Sequence, residues 1–246
     1  MLYDIDLLKD IEDKRVVLLN SGGLESCYLA CILSKSGFKI HHLFIDYGQN
    51  ALKGELLAVK NLIKKYGGVL HTAKVDLPWF ATSTSLCSGE KIGDPLVTKY
   101  MGTVRAKTYV PLRNHIFLSF AGSLADSLDI PYIASGLDGI QDCFGVPIGS
   151  APDKHPNFAY SIENSINEAS AYHHTKGGYI EIIAPILCCT KEDTIRNGAK
   201  IDCDFSLSWS CYNSGSEPCG TCCACVDRKS HFENLGLKEP KFVATV

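Results

Sequence analysis

The sequence predicts an α/β fold, in which helices cover both faces of a parallel sheet. Apolar runs typical of buried strands alternate with segments of helical period in the first 75 residues. The runs lie at 15–20, 40–45 and 69–75, and the helical segments lie at 26–35 and 51–66. This alternation favours right-handed crossovers between parallel strands.

The rest of the chain continues the alternation with longer interruptions. We expect helices at 114–128 and 157–172, strands at 131–134 and within 179–185, and a short helix from 191. Polar loops rich in glycine are expected at 81–109 and 135–156. We therefore expect a single domain over residues 1–246, with a metal-binding elaboration at about 205–232.

Composition excludes several classes of protein. The 246 residues are 46% hydrophobic, which is enough for a substantial core. The net charge of −3 predicts no direct nucleic-acid binding, and no apolar run approaches the roughly 18 residues of a membrane span. The N-terminus is acidic and amphipathic rather than signal-like. We expect a cytoplasmic protein without a membrane partner.

The turn after the first strand, NSGGLES at residues 20–26, is a candidate phosphate site. Ligands bind beyond the carboxyl ends of strands in open parallel sheets. Gly22 and Gly23 permit a sharp turn, and the N-terminus of the following helix offers free N–H groups. Ser21 and Ser26 add hydroxyl donors. The stretch is neither a Walker A loop nor a GxGxxG motif, and a tight turn without a ligand is the alternative interpretation.

A cluster of cysteines near the C-terminus predicts a metal site. The chain has 12 cysteines, and the pattern C-x7-C-x2-C-x2-C is formed by Cys211, Cys219, Cys222 and Cys225. Four thiolates suit a closed, structural Zn²⁺ site, and an iron–sulfur cluster is the alternative metal centre. Cys223 is expected to be unliganded, with replacement of a neighbouring ligand by Cys223 as the alternative, and disulfides are the alternative to a metal. The cysteines outside residues 211–225 are expected to be mostly small core residues.

Together these motifs resemble the 7-cyano-7-deazaguanine synthase family of PP-loop ATP pyrophosphatases. The resemblance runs from about residue 15 to about residue 232. It includes SGGLES, IDYGQN, YVPLRNHIFLSFAGSLA, PDKHPNF, WSCYN and CGTCCAC. It implies the PP-loop fold, similar to adenine nucleotide α-hydrolases, and a homodimer.

The resemblance also implies an activity. The family activates 7-carboxy-7-deazaguanine with ATP and Mg²⁺, adds ammonia, and dehydrates the amide to a nitrile. By position, the ATP-binding residues would be Asn20, Ser21, Gly22, Gly23, Leu24, Glu25, Ser26, Asp46, Tyr47, Gln49, Arg113 and Asn114. The catalytic residues would be Glu25, Arg113 and Asp153. Without the resemblance, Asp46 reads as a strand–helix cap, Arg113 as a surface ion-pair partner and Asp153 as a turn residue.

Departures from the family pattern leave the acceptor open. Glu25 stands where the family has Asp, Leu112 where it has Gly, and APDKH where it has GYPDCR. A protein amine, as in phage-defence relatives that modify proteins, is therefore the alternative to ammonia. Thiolation of tRNA and nucleotide binding without catalysis are further alternatives.

Overall fold

A computed structural model of the chain describes residues 6–92, 108–138 and 152–244. The strands within these ranges are β1 Arg15–Leu19, β2 Lys39–Asp46, β3 Val69–Lys74, β4 Tyr132–Ala134 and β5 Glu181–Ile183. The α-helices are α1 Leu24–Lys35, α2 Leu52–Tyr66, α3 Pro78–Ser83, α4 Arg113–Ser127, α5 Pro156–Ala169, α6 Ala171–Lys176, α7 Lys191–Lys200 and α8 Cys223–Asn234. Short 3-10 turns occupy Asp6–Lys9, Pro152–Lys154 and Phe205–Leu207.

The five strands form one parallel sheet in the order β3-β2-β1-β4-β5. Strands β2 and β3 add outward from β1 in one direction, and β4 and β5 add in the other. The order therefore reverses between β1 and β4, and a crevice opens there at the carboxyl ends of the strands. The predicted parallel sheet is confirmed.

Helices cover both faces of the sheet, as the sequence predicts. One core cluster joins Val17, Leu43 and Ile133 of the sheet to Leu118 and Ala121 of α4. The opposite cluster contains side chains from the sheet and from two helices: Val16, Leu18, Leu29, Leu33 and Ile195. Burial on both faces explains why the strands read as continuous apolar runs rather than as alternating ones.

Two expectations differ from the structure. The helix expected at 157–172 is interrupted at Ser170, whose Oγ accepts from His173 N at 3.1 Å and donates to Asp126 Oδ1 at 2.5 Å. Ser170 thus caps a separate helix, α6. The loop expected from residue 81 begins within α3, and Leu86 and Ile92 are buried in the core.

Residues 93–107 and 139–151, which make up most of the two expected loops, lie outside the described ranges. In the part of the chain that the structure describes, no helix has both the length and the apolar character needed to cross a bilayer.

Candidate functional site

A cavity of about 270 Å³ opens at the carboxyl ends of β1, β2 and β4. The turn before α1 and the first residues of α4 and α7 form part of its wall. The segment 209–212 and one face of α8 complete the wall. The cavity therefore lies where the reversal of strand order places a ligand site in a parallel sheet.

The turn at residues 20–26 forms the floor of this cavity. Asn20 is buried, and its Oδ1 accepts from Gly22 N at 2.8 Å while its Nδ2 lies 2.9 Å from His42 Nδ1. Gly22 has φ +76°, and a Cβ there would lie 2.7 Å from the carbonyl oxygen of Glu55. No other residue fits this close approach without strain.

Helix α1 begins directly after the turn without a side-chain cap. Its N-cap residue is Gly23, so the first N–H groups of the helix lack an intrahelical partner. Ser26 Oγ accepts from Ser21 N at 3.2 Å, which keeps both hydroxyls beside these donors. The arrangement suits an anion such as a phosphate.

A charged network crosses one wall of the cavity. Lys191 Nζ contacts Glu25 Oε1 and lies 3.6 Å from Asp138 Oδ2, and Lys154 Nζ contacts Asp138 Oδ1. Burial acts to raise the pKa of Asp138, but the two ammonium groups outweigh it and lower the pKa. Glu25, followed by Asp138, holds the pKa of Lys191 above its usual value. Asp138 and Lys191 are therefore both charged at neutral pH.

The opposite wall carries fewer formal charges. Arg113 and Tyr47 both line this wall, and Gln49 Nε2 donates to Glu55 Oε2 at 2.8 Å. Burial raises the pKa of Glu55 to about 7, although the Gln49 hydrogen bond and the charge of Arg113 act to lower it. Burial also raises the pKa of Tyr47. Glu55 therefore titrates near neutral pH, unlike Asp138.

Most of the residues proposed from the sequence to bind ATP line this cavity. They are Asn20, Ser21, Gly23, Leu24, Glu25, Ser26, Tyr47, Arg113 and Asn114. Gly22, Asp46, Gln49 and Asp153 do not line it. Asp46 Oδ1 accepts from Gly48 N at 3.0 Å, which stabilises the turn after β2. Asp153 Oδ2 accepts from Asn114 N at 2.9 Å and so fixes the start of α4.

The four cysteines of the C-x7-C-x2-C-x2-C pattern converge on one point. The Sγ atoms of Cys211, Cys219, Cys222 and Cys225 all lie within 4.8 Å of one another. Thiolates about 2.3 Å from a tetrahedral Zn²⁺ are separated by roughly 3.8 Å, and Cys211 Sγ lies 3.9 Å from Cys222 Sγ. The donor set can therefore hold a metal such as zinc.

Backbone N–H groups surround these thiols. Cys222 N donates to Cys219 Sγ at 3.3 Å, and Cys219 N donates to Cys211 Sγ at 3.3 Å. Gly220, with φ +72°, makes the tight turn that brings Cys219 and Cys222 together. Such N–H donors stabilise thiolates and orient metal ligands.

The cysteine cluster is connected to the cavity through α8. Arg228 is buried on this helix, where its guanidinium donates to Ser208 Oγ and Phe205 O, both at 2.8 Å. The segment held in this way brings Trp209 N to 2.7 Å from Gly22 O. The metal-binding segment therefore supports the turn before α1.

Several charged residues of the cavity were not identified from the sequence, and three of them form the charged network. Asp138, Lys154 and Lys191 come from separate loops and from the start of α7. Lys154 lies within the quoted motif PDKHPNF, and Lys191 follows Thr190 in a capping box. A lysine directly after a helix cap at the carboxyl end of a strand is the signal that could have identified Lys191.

Comparisons with known proteins identify the family of this chain. The family model described as "Queuosine biosynthesis protein QueC" matches residues 15–236. A 7-cyano-7-deazaguanine synthase of Hydrogenovibrio crunogenus is 32% identical, over 97% of this chain and 99% of that protein. Synthases of Desulfatibacillum aliphaticivorans and Rickettsia prowazekii are each 33% identical, over 94% and 92% of this chain and 97% and 98% of their own. The chain is an enzyme that belongs to the QueC family.

Proposed function

We propose that this enzyme uses ATP to adenylate 7-carboxy-7-deazaguanine and then couples the activated acyl group to an amine. The product is the 7-amido compound, the 7-cyano compound or both. One observation carries the proposal: the turn at 20–26, Arg113 and Lys191 converge on a single cavity in a member of the QueC family. A carboxylate is a poor electrophile, and adenylation gives it a good leaving group.

The first half-reaction needs binding and charge neutralisation. The turn at 20–26 and the N-terminus of α1 would hold the phosphates. A carboxylate oxygen of the substrate attacks the α-phosphorus, and pyrophosphate leaves. Arg113 and Lys191, which face the cavity from the starts of two helices, would stabilise the negative charge that develops. Asp153, bonded to Asn114 N, would position Arg113 without touching the substrate.

Magnesium would accompany ATP. Carboxylate oxygens are the ligands that Mg²⁺ prefers, and Glu25 and Asp138 present them to the same cavity. In the present arrangement Lys191 bridges these two carboxylates. Glu25 has one methylene more than the Asp of the family pattern, which gives its carboxylate the reach to contact Lys191.

We assign a structural zinc to the four cysteines. Four protein thiols leave no open coordination position for catalysis. Cys211, Cys222 and Cys225 belong to the core cluster that contains Val17 and Leu43 of the sheet, which favours one folded unit with a zinc-binding elaboration at about 205–232. A homodimer in the cytoplasm completes the proposal, and light scattering of the purified protein tests the dimer.

Mass spectrometry of reactions with ATP, Mg²⁺ and 7-carboxy-7-deazaguanine, with and without ammonium, tests the activity. We expect AMP, pyrophosphate and, only with ammonium, the amide or the nitrile. Release of AMP with no amide or nitrile would favour the protein-amine acceptor. No consumption of ATP would refute adenylation and leave nucleotide binding.

Thiolation is disfavoured by the wall of the cavity. That reaction expects cysteines near the nucleotide, yet none of the described residues that line the cavity is a cysteine.

A further inference from the structure

A second, much smaller compartment adjoins the main cavity. Its volume is about 30 Å³. Its walls are formed by Tyr47, Gln49, Ala51, Glu55, Leu86, Arg113 and Tyr212. Four of these, Tyr47, Glu55, Arg113 and Tyr212, also line the main cavity. The compartment is therefore a side chamber of the proposed nucleotide site, separated from it by shared side chains.

The volume of the side chamber limits the size of the molecule that it can hold. A space of this volume holds about one water-sized molecule, which also needs two to four polar partners. The chamber offers a carboxylate, a guanidinium, an amide and two phenol groups, whereas Ala51 and Leu86 close its apolar side. A deazapurine or the side chain of a lysine does not fit, but ammonia does.

Glu55 is the acidic residue of the side chamber. Gln49 Nε2 donates to Glu55 Oε2 at 2.8 Å, and the same Gln49 accepts from Tyr47 N at 2.9 Å through Oε1. The Glu55 side chain is thus held by one oxygen, and Glu55 lines both spaces. Its pKa of about 7, raised by burial, suits a group that must both accept and release a proton at neutral pH.

We propose that the side chamber binds the ammonia used in the amidation and that Glu55 is the catalytic residue that accepts its proton. The inference rests on the proposed function and names the acceptor for the same site. The positive guanidinium of Arg113 offsets the attraction of the Glu55 carboxylate for ammonium.

The step is balanced with Glu55 as a carboxylate. The nitrogen of ammonia attacks the acyl carbon of the adenylate, and a C–N bond forms. The bond between the acyl carbon and the phosphate oxygen breaks, and AMP leaves with its electron pair. One proton passes from nitrogen to Glu55, which later releases it to water. The products are the amide, AMP and a protonated Glu55.

A rapid-quench experiment on Glu55→Gln tests the role of this carboxyl group. The substitution keeps the shape of the side chain and removes the base. We expect pyrophosphate to form at the wild-type rate from ATP, Mg²⁺ and 7-carboxy-7-deazaguanine, and amide formation with ammonium to fall about 10²-fold. At a constant concentration of free ammonia, the lower limb of the pH profile for amide formation, near pH 7 in the wild type, should disappear. Glu233→Gln on the exposed face of α8 is the matched control and should behave as the wild type.

The outcomes separate this inference from the proposed function. An unchanged rate of amide formation in Glu55→Gln would overturn the inference, as would an equal loss of pyrophosphate and amide. If the wild type itself releases no pyrophosphate, the proposed function has failed.

Nucleophiles of different size give an independent test that needs no change at Glu55. Wild-type enzyme should use ammonia and reject methylamine and larger amines, because Leu86 and Ala51 close the chamber. Leu86→Ala should enlarge the chamber and yield the N-methyl amide. Equal use of ammonia and a lysine-containing peptide by the wild type would refute an ammonia chamber and favour a protein acceptor.

Discussion

The pKa values of two carboxyl groups that line one cavity, Asp138 and Glu55, are shifted in opposite directions from their usual values. Asp138 lies between two lysines, which keep its pKa low despite burial. Glu55 has an amide as its hydrogen-bonding partner, and burial raises its pKa to about 7. The chemistry of the two groups is the same, so the difference comes from their neighbours. One wall of the cavity carries fixed charge, and the other carries a group that can exchange a proton.

This contrast assigns different tasks to the two walls. Fixed charge beside the turn at 20–26 suits the binding of metal and phosphate, which must not depend on pH. A carboxyl group with a pKa near neutrality suits proton transfer during attack by an amine. Substitutions in either wall should remove this contrast between the walls or change its size.

Loss of the metal should have the largest effect, because the metal-binding segment supports the turn before α1 through the hydrogen bond from Trp209 N to Gly22 O. Cys222→Ser should abolish metal binding and activity and lower stability by about 3 kcal/mol or more, or roughly 10 °C in Tm. Metal analysis and thermal unfolding measure this change. Cys223→Ser, whose thiol lies outside the four-cysteine group, is the control and should retain the metal. A Cys222→Ser enzyme with full metal content would contradict the assignment.

Substitution of Lys191 should disrupt the charged wall and leave the wall that contains Glu55 unchanged. Lys191→Met keeps most of the side-chain length but leaves Glu25 and Asp138 facing each other without the ammonium group. We expect pyrophosphate release to fall about 10²–10³-fold, as when a group that stabilises transition-state charge is lost. Lys229→Met on the surface of α8 is the control. Pyrophosphate release at the wild-type rate would show that the lysine takes no part in adenylation.

The pH dependence of stability should have opposite signs at the two carboxyl groups. Glu55 has a raised pKa in the folded state, so its contribution is complete below pH 4.5 and is lost as the pH rises through about 7. The free energy of unfolding of Glu55→Gln, relative to that of the wild type, should therefore be roughly 1–3 kcal/mol higher at pH 8 than at pH 4.5.

Asp138 has a lowered pKa, so its contribution is present above pH 3.8 and is lost as the pH falls through the folded-state value. Asp138→Asn should lower the free energy of unfolding by roughly 1–3 kcal/mol at pH 7. Urea denaturation over this pH range measures both changes. Stability changes of the same sign in the two variants would contradict the comparison.

The smallest effect is expected at Leu112, which lies beside Arg113 and has a left-handed backbone with φ +53°. Leu112 is 58% exposed, so glycine removes strain while losing little buried surface. Leu112→Gly should raise stability by about 1 kcal/mol. Leu128→Gly, at φ −107°, is the matched control and should lower stability. Equal effects of the two substitutions in thermal unfolding would refute the strain.

The sequence predicted the sheet because each central strand is buried on both faces. The runs at 15–20 and 40–45 have no competing helical period, and the structure places strands there. The break at Ser170 was not predicted, since residues 157–172 have a continuous helical pattern. Ser170 caps α6 by accepting from His173 N, and Asp126, 44 residues earlier, fixes this break by accepting from Ser170 Oγ and from Tyr172 N.

The candidate site likewise combines motifs that are local in the sequence with contacts between residues far apart in the sequence. The turn at 20–26 is a local motif, and so is the cysteine pattern. The charged network is not local, because Glu25 and Lys191 are 166 residues apart and meet only through the sheet order. The pKa of Glu55 likewise depends on packing that no short pattern encodes.

The hydrogen bond from Trp209 N to Gly22 O has a consequence for synthesis of the protein. It joins residues that the ribosome produces 187 positions apart, and Gly54 leaves the space that the Trp209 ring fills. Contacts of such sequence separation form late in folding. A nascent chain that has not yet released Trp209 lacks one wall of the cavity. The wall is complete only after residues 209–231 have been synthesised.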